Sequence, residues 1–164
     1  MSIYDFLDSN GISYRRFDHP AVFTCEQAQE LRTPMPGKDT KNLFLRDERG
    51  KRHFLVTIGH EKQVDIKELK KIFDVQKLSF ASPDRLMRHL GVDPGAVTIL
   101  GLINDPAHAV EVFIDEVVWN AEAICCHPLV NTATLSIRHE GMVKFLQGTG
   151  HVAKIINVPV KRPV

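Results

Sequence analysis

Hydrophobic residues recur along this chain in two patterns, one typical of helices and the other typical of strands. Apolar residues three or four positions apart follow several residues that can cap a helix, whereas short apolar runs bounded by Gly, Pro, Asn or Asp indicate strands. The first pattern predicts helices that begin after Ser2, Thr24, Asp65 and Ser82, and a last helix at Glu140–Gln147. The second pattern predicts strands at Ile12–Phe17, Asn42–Arg46, His53–Ile58, Val97–Ile103, Val110–Ile114, Ala123–Cys126, Thr134–Ile137 and near Lys154–Val158.

The connections between these elements indicate the fold class. The charged turn between Asn42–Arg46 and His53–Ile58 is short enough for a β-hairpin, and several other strands are joined by similarly short segments. Parallel neighbours need longer crossovers, so the pattern favours a mixed or antiparallel sheet with helices packed outside it, and not a doubly wound parallel fold. At 164 residues, without an internal repeat or a linker, the chain is predicted to be a single α+β domain over residues 1–164.

Composition and charge narrow the setting of the protein. Hydrophobic residues make up 43% of the chain and charged residues 25%, and the net charge is +1, so any contact with nucleic acid requires a local basic patch. Lys62, Lys67, Lys70 and Lys71 are one candidate patch, although a solvated helix face has the same pattern. The sequence shows no long apolar run and no secretory signal, and its three cysteines fit a reducing compartment. We therefore expect a cytoplasmic protein that contacts no membrane.

Familiar signatures of hydrolases and of metal sites are absent from the sequence. It contains no Gly-x-Ser-x-Gly elbow, no His-Glu-x-x-His and no Cys-x-x-Cys. Cys125, Cys126 and His127 are consecutive, but in a strand only Cys125 and His127 share a face, and a structural zinc normally has four ligands. We therefore predict no metal and no cofactor, and we interpret the two cysteines as small buried hydrophobes and not as nucleophiles.

Polar residues at strand ends and in Gly-rich turns form the candidate chemistry. Lys41 and Asn42 lead into an apolar strand, although a lysine in that position is usually a surface residue. The segment Gly95-Ala96-Val97-Thr98 either ends a helix and turns, or brings backbone groups close to a small ligand. His127 opens a loop that reaches Asn131, and a histidine there is either structural or able to exchange a proton near neutral pH.

These segments resemble the active-site signatures of the YbaK/ProX family of free-standing aminoacyl-tRNA deacylases, and the likeness extends from about residue 2 to residue 158. The resemblance is carried by Lys41-Asn42-Leu43-Phe44-Leu45-Arg46-Asp47 and by His127-Pro128-Leu129-Val130-Asn131-Thr132-Ala133-Thr134. It implies that Lys41 and Asn42 are catalytic residues at the mouth of a pocket. The implied substrate-binding residues are Gly95, Ala96, Val97, Thr98, His127, Asn131 and, in an N-terminal loop with His19, Thr24. Ile99 departs from the family pattern, which has proline at this position.

The implied activity is hydrolysis of the ester in mischarged tRNA, with the pattern closest to the branch that removes alanine from tRNA(Pro). An aminoacyl ester beside a free ribose hydroxyl is already activated, so positioning and carbonyl polarisation can suffice without a triad, a metal or a covalent intermediate. Selectivity then depends on excluding larger side chains. The implied partners are the acceptor end of mischarged tRNA and, transiently, prolyl-tRNA synthetase or an elongation factor. The alternatives are a deacylase for Ser- or Cys-tRNA and a non-catalytic RNA- or DNA-binding regulator, and the oligomeric state is open.

Overall fold

A mixed β-sheet with helices on both faces forms the body of the chain. The computed structural model describes residues 2–21 and 37–161, so the helix predicted after Thr24 lies outside the described residues. The strands are β1 (Tyr14–Asp18), β2 (Lys38–Asp47), β3 (His53–Gly59), β4 (Leu78–Phe80), β5 (Val110–Asp115), β6 (Ala123–Cys126), β7 (Ala133–Arg138) and β8 (Ala153–Ile156). The α-helices are α1 (Ile3–Ser9), α2 (Ile66–Phe73), α3 (Pro83–Leu90), α4 (Glu116–Trp119) and α5 (His139–Thr149).

The order of strands in the sheet is β1-β7-β6-β2-β3-β5-β8, and β4 pairs with β2 beside this path. The pairs β2–β6, β3–β5 and β5–β8 are parallel, and the other pairs are antiparallel. β2 and β3 form the predicted hairpin, with Arg46 opposite His53 at the turn end. The predicted α+β fold with a mixed sheet is therefore confirmed.

Side chains of β2 and β3 alternate between two hydrophobic cores, one on each face of the sheet. Phe44 and Leu55 belong to the larger core, to which α1, α3 and α5 contribute. Leu45 and Phe54 belong to the smaller core, to which α2 contributes. All seven residues of β3 are buried as a result. Burial on both faces fixes the register of the hairpin, because a slip of one residue would exchange the two sets of side chains.

Hydrogen bonds at the first turns of three helices confirm the predicted helix starts. The side-chain oxygens of Ser2, Asp65 and Ser82 accept backbone N–H groups of α1, α2 and α3. Pro83 occupies the first turn of α3, and Gly91 ends that helix at a φ of 67°, a left-handed conformation that glycine adopts without strain. Among the helices described here, none has the length and apolar character needed to cross a membrane.

The prediction of a strand at Val97–Ile103 is wrong. The chain there forms short 3-10 helices at Pro94–Ala96 and Ile99–Asn104, and the Thr98 hydroxyl caps the second by accepting the Leu100 N–H at 3.2 Å. These residues pack against α3 in the larger core. A continuous apolar run suits a buried helix as well as a buried strand, so its periodicity does not separate the two structures.

Candidate active site

The parallel pairing of β2 with β6 brings Lys41 and His127 to the same end of the two strands. In this pair of strands, Asp39 is opposite Cys125. Two positions further along both strands come Lys41 and His127, which share a face of the sheet with that pair because side chains alternate along a strand. The Thr40 hydroxyl donates to the Cys125 carbonyl oxygen at 2.6 Å where the regular pairing ends. Lys41 and His127 are therefore at the open end of the strand pair.

Two further strands extend this arrangement across the sheet. The antiparallel register of β6 with β7 places Thr134 next to His127, and Phe17 of β1 is paired with Thr134. His19 follows β1, and its Nε2 lies 2.8 Å from the Thr134 hydroxyl. The ring centroids of His19 and His127 are 6.5 Å apart. We call Lys41, His127, Thr134 and His19 the site row.

The hydrogen bonds of the two histidines define which ring nitrogen carries the proton. His127 Nδ1 lies 3.2 Å from the Ala133 carbonyl oxygen, and His19 Nδ1 lies 2.9 Å from that of Pro20. A carbonyl oxygen only accepts, so each Nδ1 is the donor and each Nε2 of a neutral ring is left as an acceptor. Burial lowers the pKa of His127 below its ordinary value, the nearby His19 lowers it further, and the bond to Ala133 opposes both. His127 is therefore neutral at neutral pH.

The ammonium group of Lys41 is the cation that the site row offers to a ligand. Lys41 is partly buried, and within residues 2–21 and 37–161 its ammonium has no carboxylate or hydrogen-bond partner. Nearby lysines differ in this respect, because Lys38 binds Glu61 at 3.0 Å and Lys62 binds Asp115 at 2.6 Å. A partly buried cation without a counter-charge favours an anionic or carbonyl oxygen of a ligand.

Asn42 points to the opposite face of the sheet from Lys41. Thr57 lies directly opposite Asn42 on β3, and its hydroxyl donates to Asn42 Oδ1 at 2.6 Å. Thr57 has no exposed surface. The two residues predicted to be catalytic are thus divided between the faces of the sheet. The described contacts of the Asn42 side chain join β2 to β3 on the side of the larger core and do not reach the site row.

The predicted pocket loop from Gly95 to Thr98 lies on the same side of the sheet as Asn42. Ala96 and Thr98 are buried, and Gly95 and Val97 are partly exposed. Ile99, which follows the loop, lines with Thr57 a cavity of about 10 Å³. Such a cavity has room for roughly one water molecule and none for an aminoacyl group. The described hydrogen bonds do not join this loop to the site row.

The turn that connects β6 to β7 carries Asn131, another predicted binding residue. Asn131 is partly exposed and follows Leu129, whose φ of 67° is left-handed. The turn begins directly after His127, so Asn131 lies at the same end of the sheet as the site row. Thr24, the remaining predicted binding residue, lies outside the described residues.

Cys125 and Cys126 are both buried and have the environment of core residues, not of nucleophiles. Cys126 is buried in the larger core, and burial raises the pKa of its thiol. A raised pKa disfavours the thiolate, which is the reactive form. In the part of the chain that the structure describes, no three His, Cys, Asp or Glu side chains are grouped to hold a metal ion.

Two members of the predicted lysine patch are bound to carboxylates. Lys62 pairs with Asp115, which is fully buried, and Lys71 pairs with Glu68 one turn earlier in α2. The Asp115 pair also has a structural role, because its other carboxylate oxygen accepts the Val158 N–H at 3.0 Å. These contacts weaken the patch as a site for nucleic acid.

Comparison with known proteins decides the family. A sequence model of the aminoacyl-tRNA editing domain matches residues 19–145, a range that contains the whole site row. The chain belongs to the aminoacyl-tRNA editing domain family. The resemblance expressed by the motifs around Lys41 and His127 is thereby confirmed, and so is the predicted enzyme class, an aminoacyl-tRNA deacylase.

Individual relatives of this family member agree with that assignment. Prolyl-tRNA editing protein ProX of Acetoanaerobium sticklandii is 34% identical over 152 residues, which cover 93% of each chain. Prolyl-tRNA synthetase associated domain-containing protein 1 of Danio rerio is 32% identical over 155 residues, or 93% of this chain and 84% of that protein. A crystal structure of a protein proposed to be a trans-editing enzyme for prolyl tRNA synthetase superposes with a TM-score of 0.70 at 18% identity, covering 97% of this chain and 95% of that one. The last comparison shows a shared fold.

Proposed function

We propose that this chain hydrolyses the ester of Ala-tRNA(Pro) in trans, after prolyl-tRNA synthetase has attached the wrong amino acid. The observation that carries the proposal is the site row, where the parallel register brings Lys41 and the neutral His127 to the same face and the same end of two strands. The relatives support tRNA(Pro), because one is a prolyl-tRNA editing protein and another is a prolyl-tRNA synthetase associated protein.

The chemistry that the row can perform is addition of water to an activated ester. Water adds to the carbonyl carbon, the bond from that carbon to the ribose oxygen breaks, and the ribose oxygen leaves with a proton, giving free alanine and tRNA. Lys41 would offset negative charge on the carbonyl oxygen or hold the terminal phosphate. His127 Nε2, a hydrogen-bond acceptor, would hold and orient the attacking water. Because the neighbouring ribose hydroxyl already activates the ester, positioning by these two groups is sufficient.

Preference for alanine requires a pocket that admits a methyl group and excludes the pyrrolidine ring of proline. A pocket rejects what does not fit more strongly than it rejects what is too small, so a steric wall is the suitable device. We assign this wall to His127, which we expect to lie next to the ester, together with Asn131. Binding roles for the loop from Gly95 to Thr98 and for Thr24 stay predictions of the resemblance.

Ser-tRNA and Cys-tRNA are the second candidate substrates. Ile99 stands where the family pattern has proline, and a β-branched residue does not fix φ as proline does. A pocket built beside such a loop would be more tolerant of side chains slightly larger than a methyl group. Family membership favours either deacylase over the non-catalytic regulator.

The proposed partners follow from the substrate. They are the acceptor end of mischarged tRNA(Pro) and, transiently, prolyl-tRNA synthetase or an elongation factor. Because charged tRNA is used by the ribosome, we place the activity in the cytoplasm. We also propose that residues 1–164 act as one domain, since the site row draws on strands from both halves of the chain.

A deacylation panel tests the proposal. Wild-type protein is mixed with tRNA(Pro) charged with alanine, serine, cysteine or proline, with and without EDTA, and the loss of labelled amino acid is followed. We expect Ala-tRNA(Pro) to be hydrolysed fastest, Pro-tRNA(Pro) to be spared, and EDTA to change neither rate. Faster loss of serine or cysteine would show that this amino acid, and not alanine, is the one that the protein removes. Loss of none of the four amino acids would refute the proposal that the protein is a deacylase for tRNA(Pro).

A further inference from the structure

A second candidate binding site lies at the opposite end of β6 from the site row, and Arg15, Ala123 and Arg138 of its lining share the face of the site row. It is a groove of about 510 Å³, lined at the starts of β1, β2 and β6 and the end of β7. The groove-lining residues that bear charge or an aromatic ring are Tyr14, Arg15, Lys38, Glu122 and Arg138. We call this feature the basic groove. Nothing in the reaction proposed above uses it.

The charges of the basic groove favour an anionic ligand. Among the described residues, three cationic residues and one carboxylate, that of Glu122, line the groove, although the whole chain carries a net charge of only +1. Among the described residues, the guanidinium of Arg15 has no ion-pair partner and packs 5.4 Å from the centroid of the Phe17 ring. Within this part of the chain, no ion pair of Arg15 has to be broken before it binds a ligand.

The other two cations have carboxylate partners outside the groove. Arg138 pairs with Glu140 at 3.0 Å, and both side chains are largely exposed, at 73% and 66%. Lys38 pairs with Glu61 at 3.0 Å. Exposed pairs of this kind contribute little, so a phosphate that accepts a charge-assisted bond can take the place of Glu140 on Arg138.

The distance from the groove to the site row suits a polynucleotide that occupies both. Ala123 lines the groove at the start of β6. His127 comes four residues later, directly after β6, and faces the same side of the sheet. Four residues of extended chain span about 13 Å. Arg138 and Thr134 have the same separation on β7, again on this face. A strand whose terminal ester is at His127 would therefore pass over the groove with the nucleotides next to its end.

We propose that the basic groove binds the sugar-phosphate backbone of the single-stranded 3′ end of tRNA, next to the esterified adenosine. Arg15 and Arg138 contact phosphates along the backbone, as is usual for the positively charged grooves that bind single-stranded RNA. The inference rests on the proposed function, since it assumes that the ester lies at Lys41 and His127. It adds a binding site that discriminates long substrates from short ones.

The test compares two substrates and two matched double variants. The substrates are Ala-tRNA(Pro) and the alanyl ester of adenosine, which has the ester but no neighbouring phosphates. The variant Arg15→Ala/Arg138→Ala removes two cations from the groove. The control Arg49→Ala/Lys51→Ala removes two exposed cations from the β2–β3 turn, at the far end of the long strand β2. Thermal unfolding shows whether both variants are folded.

For the groove variant we expect the KM for Ala-tRNA(Pro) to rise about tenfold with kcat unchanged, because phosphate contacts contribute to affinity and not to the chemical step. The slope of log(kcat/KM) against log(salt) should become shallower by about 0.7 for each cation lost. Hydrolysis of the adenosine ester should not change. The control should behave as the wild type with both substrates.

Equal KM values for the groove variant and the control would overturn the proposal, and so would an equal loss with the adenosine ester. If the double variant is unfolded, Arg138→Gln decides instead, because that side chain is 73% exposed and its loss should leave the fold intact. An unchanged salt slope in Arg138→Gln also contradicts the proposal. Failure of the proposed function looks different, because the wild type would then hydrolyse neither substrate.

Discussion

Lys41 and Asn42 are adjacent in sequence, yet replacing each by alanine should have different effects. Lys41→Ala removes an ammonium group that has no partner among the described residues, so the fold loses little. Asn42→Ala removes the acceptor of the Thr57 hydroxyl, which is fully buried. The first change should therefore reduce activity, and the second should reduce stability.

The expected magnitudes follow from these contacts. Loss of a single electrostatic stabiliser lowers kcat by about 10²-fold, which corresponds to about 2.7 kcal/mol of transition-state stabilisation. For Lys41→Ala we expect a stability change within about 0.5 kcal/mol, as is usual when no buried contact is lost. A buried hydroxyl without an acceptor costs about 1–3 kcal/mol, so Asn42→Ala should lower Tm by roughly 2–10 °C. Its kcat, measured well below Tm, should stay within about threefold of the wild type.

The assay combines single-turnover deacylation of Ala-tRNA(Pro) with thermal unfolding of the same preparations. Thr57→Val is the matched control, because it removes the other member of the hydrogen bond and keeps the shape of the side chain. If Asn42 acts only through Thr57, the double variant Asn42→Ala/Thr57→Val should be more stable than the sum of the single effects predicts. A folded Asn42→Ala protein that loses as much activity as Lys41→Ala would refute the division of the two residues between the faces.

Two further predictions concern histidines. His127→Ala should shift the ratio of the hydrolysis rates of alanyl- and prolyl-tRNA towards the larger aminoacyl group, because a wall of the pocket is removed. The shift should correspond to about 1–3 kcal/mol. An unchanged ranking of substrates in the deacylation panel would show that His127 does not form the wall. His53 has a pKa lowered to about 4, first by burial and then by His89 and Arg85, so the unfolded chain binds its proton at higher pH than the folded one. Its contribution to stability is complete above pH 6.5 and is lost as the pH falls towards 4, by roughly 2–3 kcal/mol. Urea denaturation at pH values across this range should show this loss of unfolding free energy in the wild type and a smaller loss in His53→Gln. An equal dependence of the unfolding free energy on pH in the two proteins would contradict the assignment.

The elements that could be predicted from sequence are those with a local signal. Ser82 with Pro83 defined the start of α3, and Asp65 defined that of α2. Two elements had no such signal, since Leu78–Phe80 is too short to show a period and Glu116–Trp119 is a single turn directly after β5. The order of strands was also beyond local reasoning, because the pairing of β2 with β6 joins distant parts of the chain.

Candidate site residues were predicted from the resemblance, whereas their arrangement depends on this long-range pairing. Lys41 and His127 are neighbours only because β6 returns beside β2. Thr57 was missed, although the predicted hairpin contained the information: Arg46 opposite His53 puts Asn42 opposite Thr57. Arg15 and Arg138 gave no signal, since isolated arginines in half-exposed strands are common.

The pairing of β2 with β6 has a consequence for how the protein is made. Lys41 leaves the ribosome well before His127, and at about 5–20 residues per second the interval is on the order of 10 s. During this interval the Lys38 end of β2 has no β6 beside it, and an unpaired edge is a place where other chains can add. The site row is therefore assembled only once β6 and β7 have been made, and no nascent fragment that ends before His127 can contain it. A synthesis that stalls before β7 would release a protein that is both inactive and prone to aggregate.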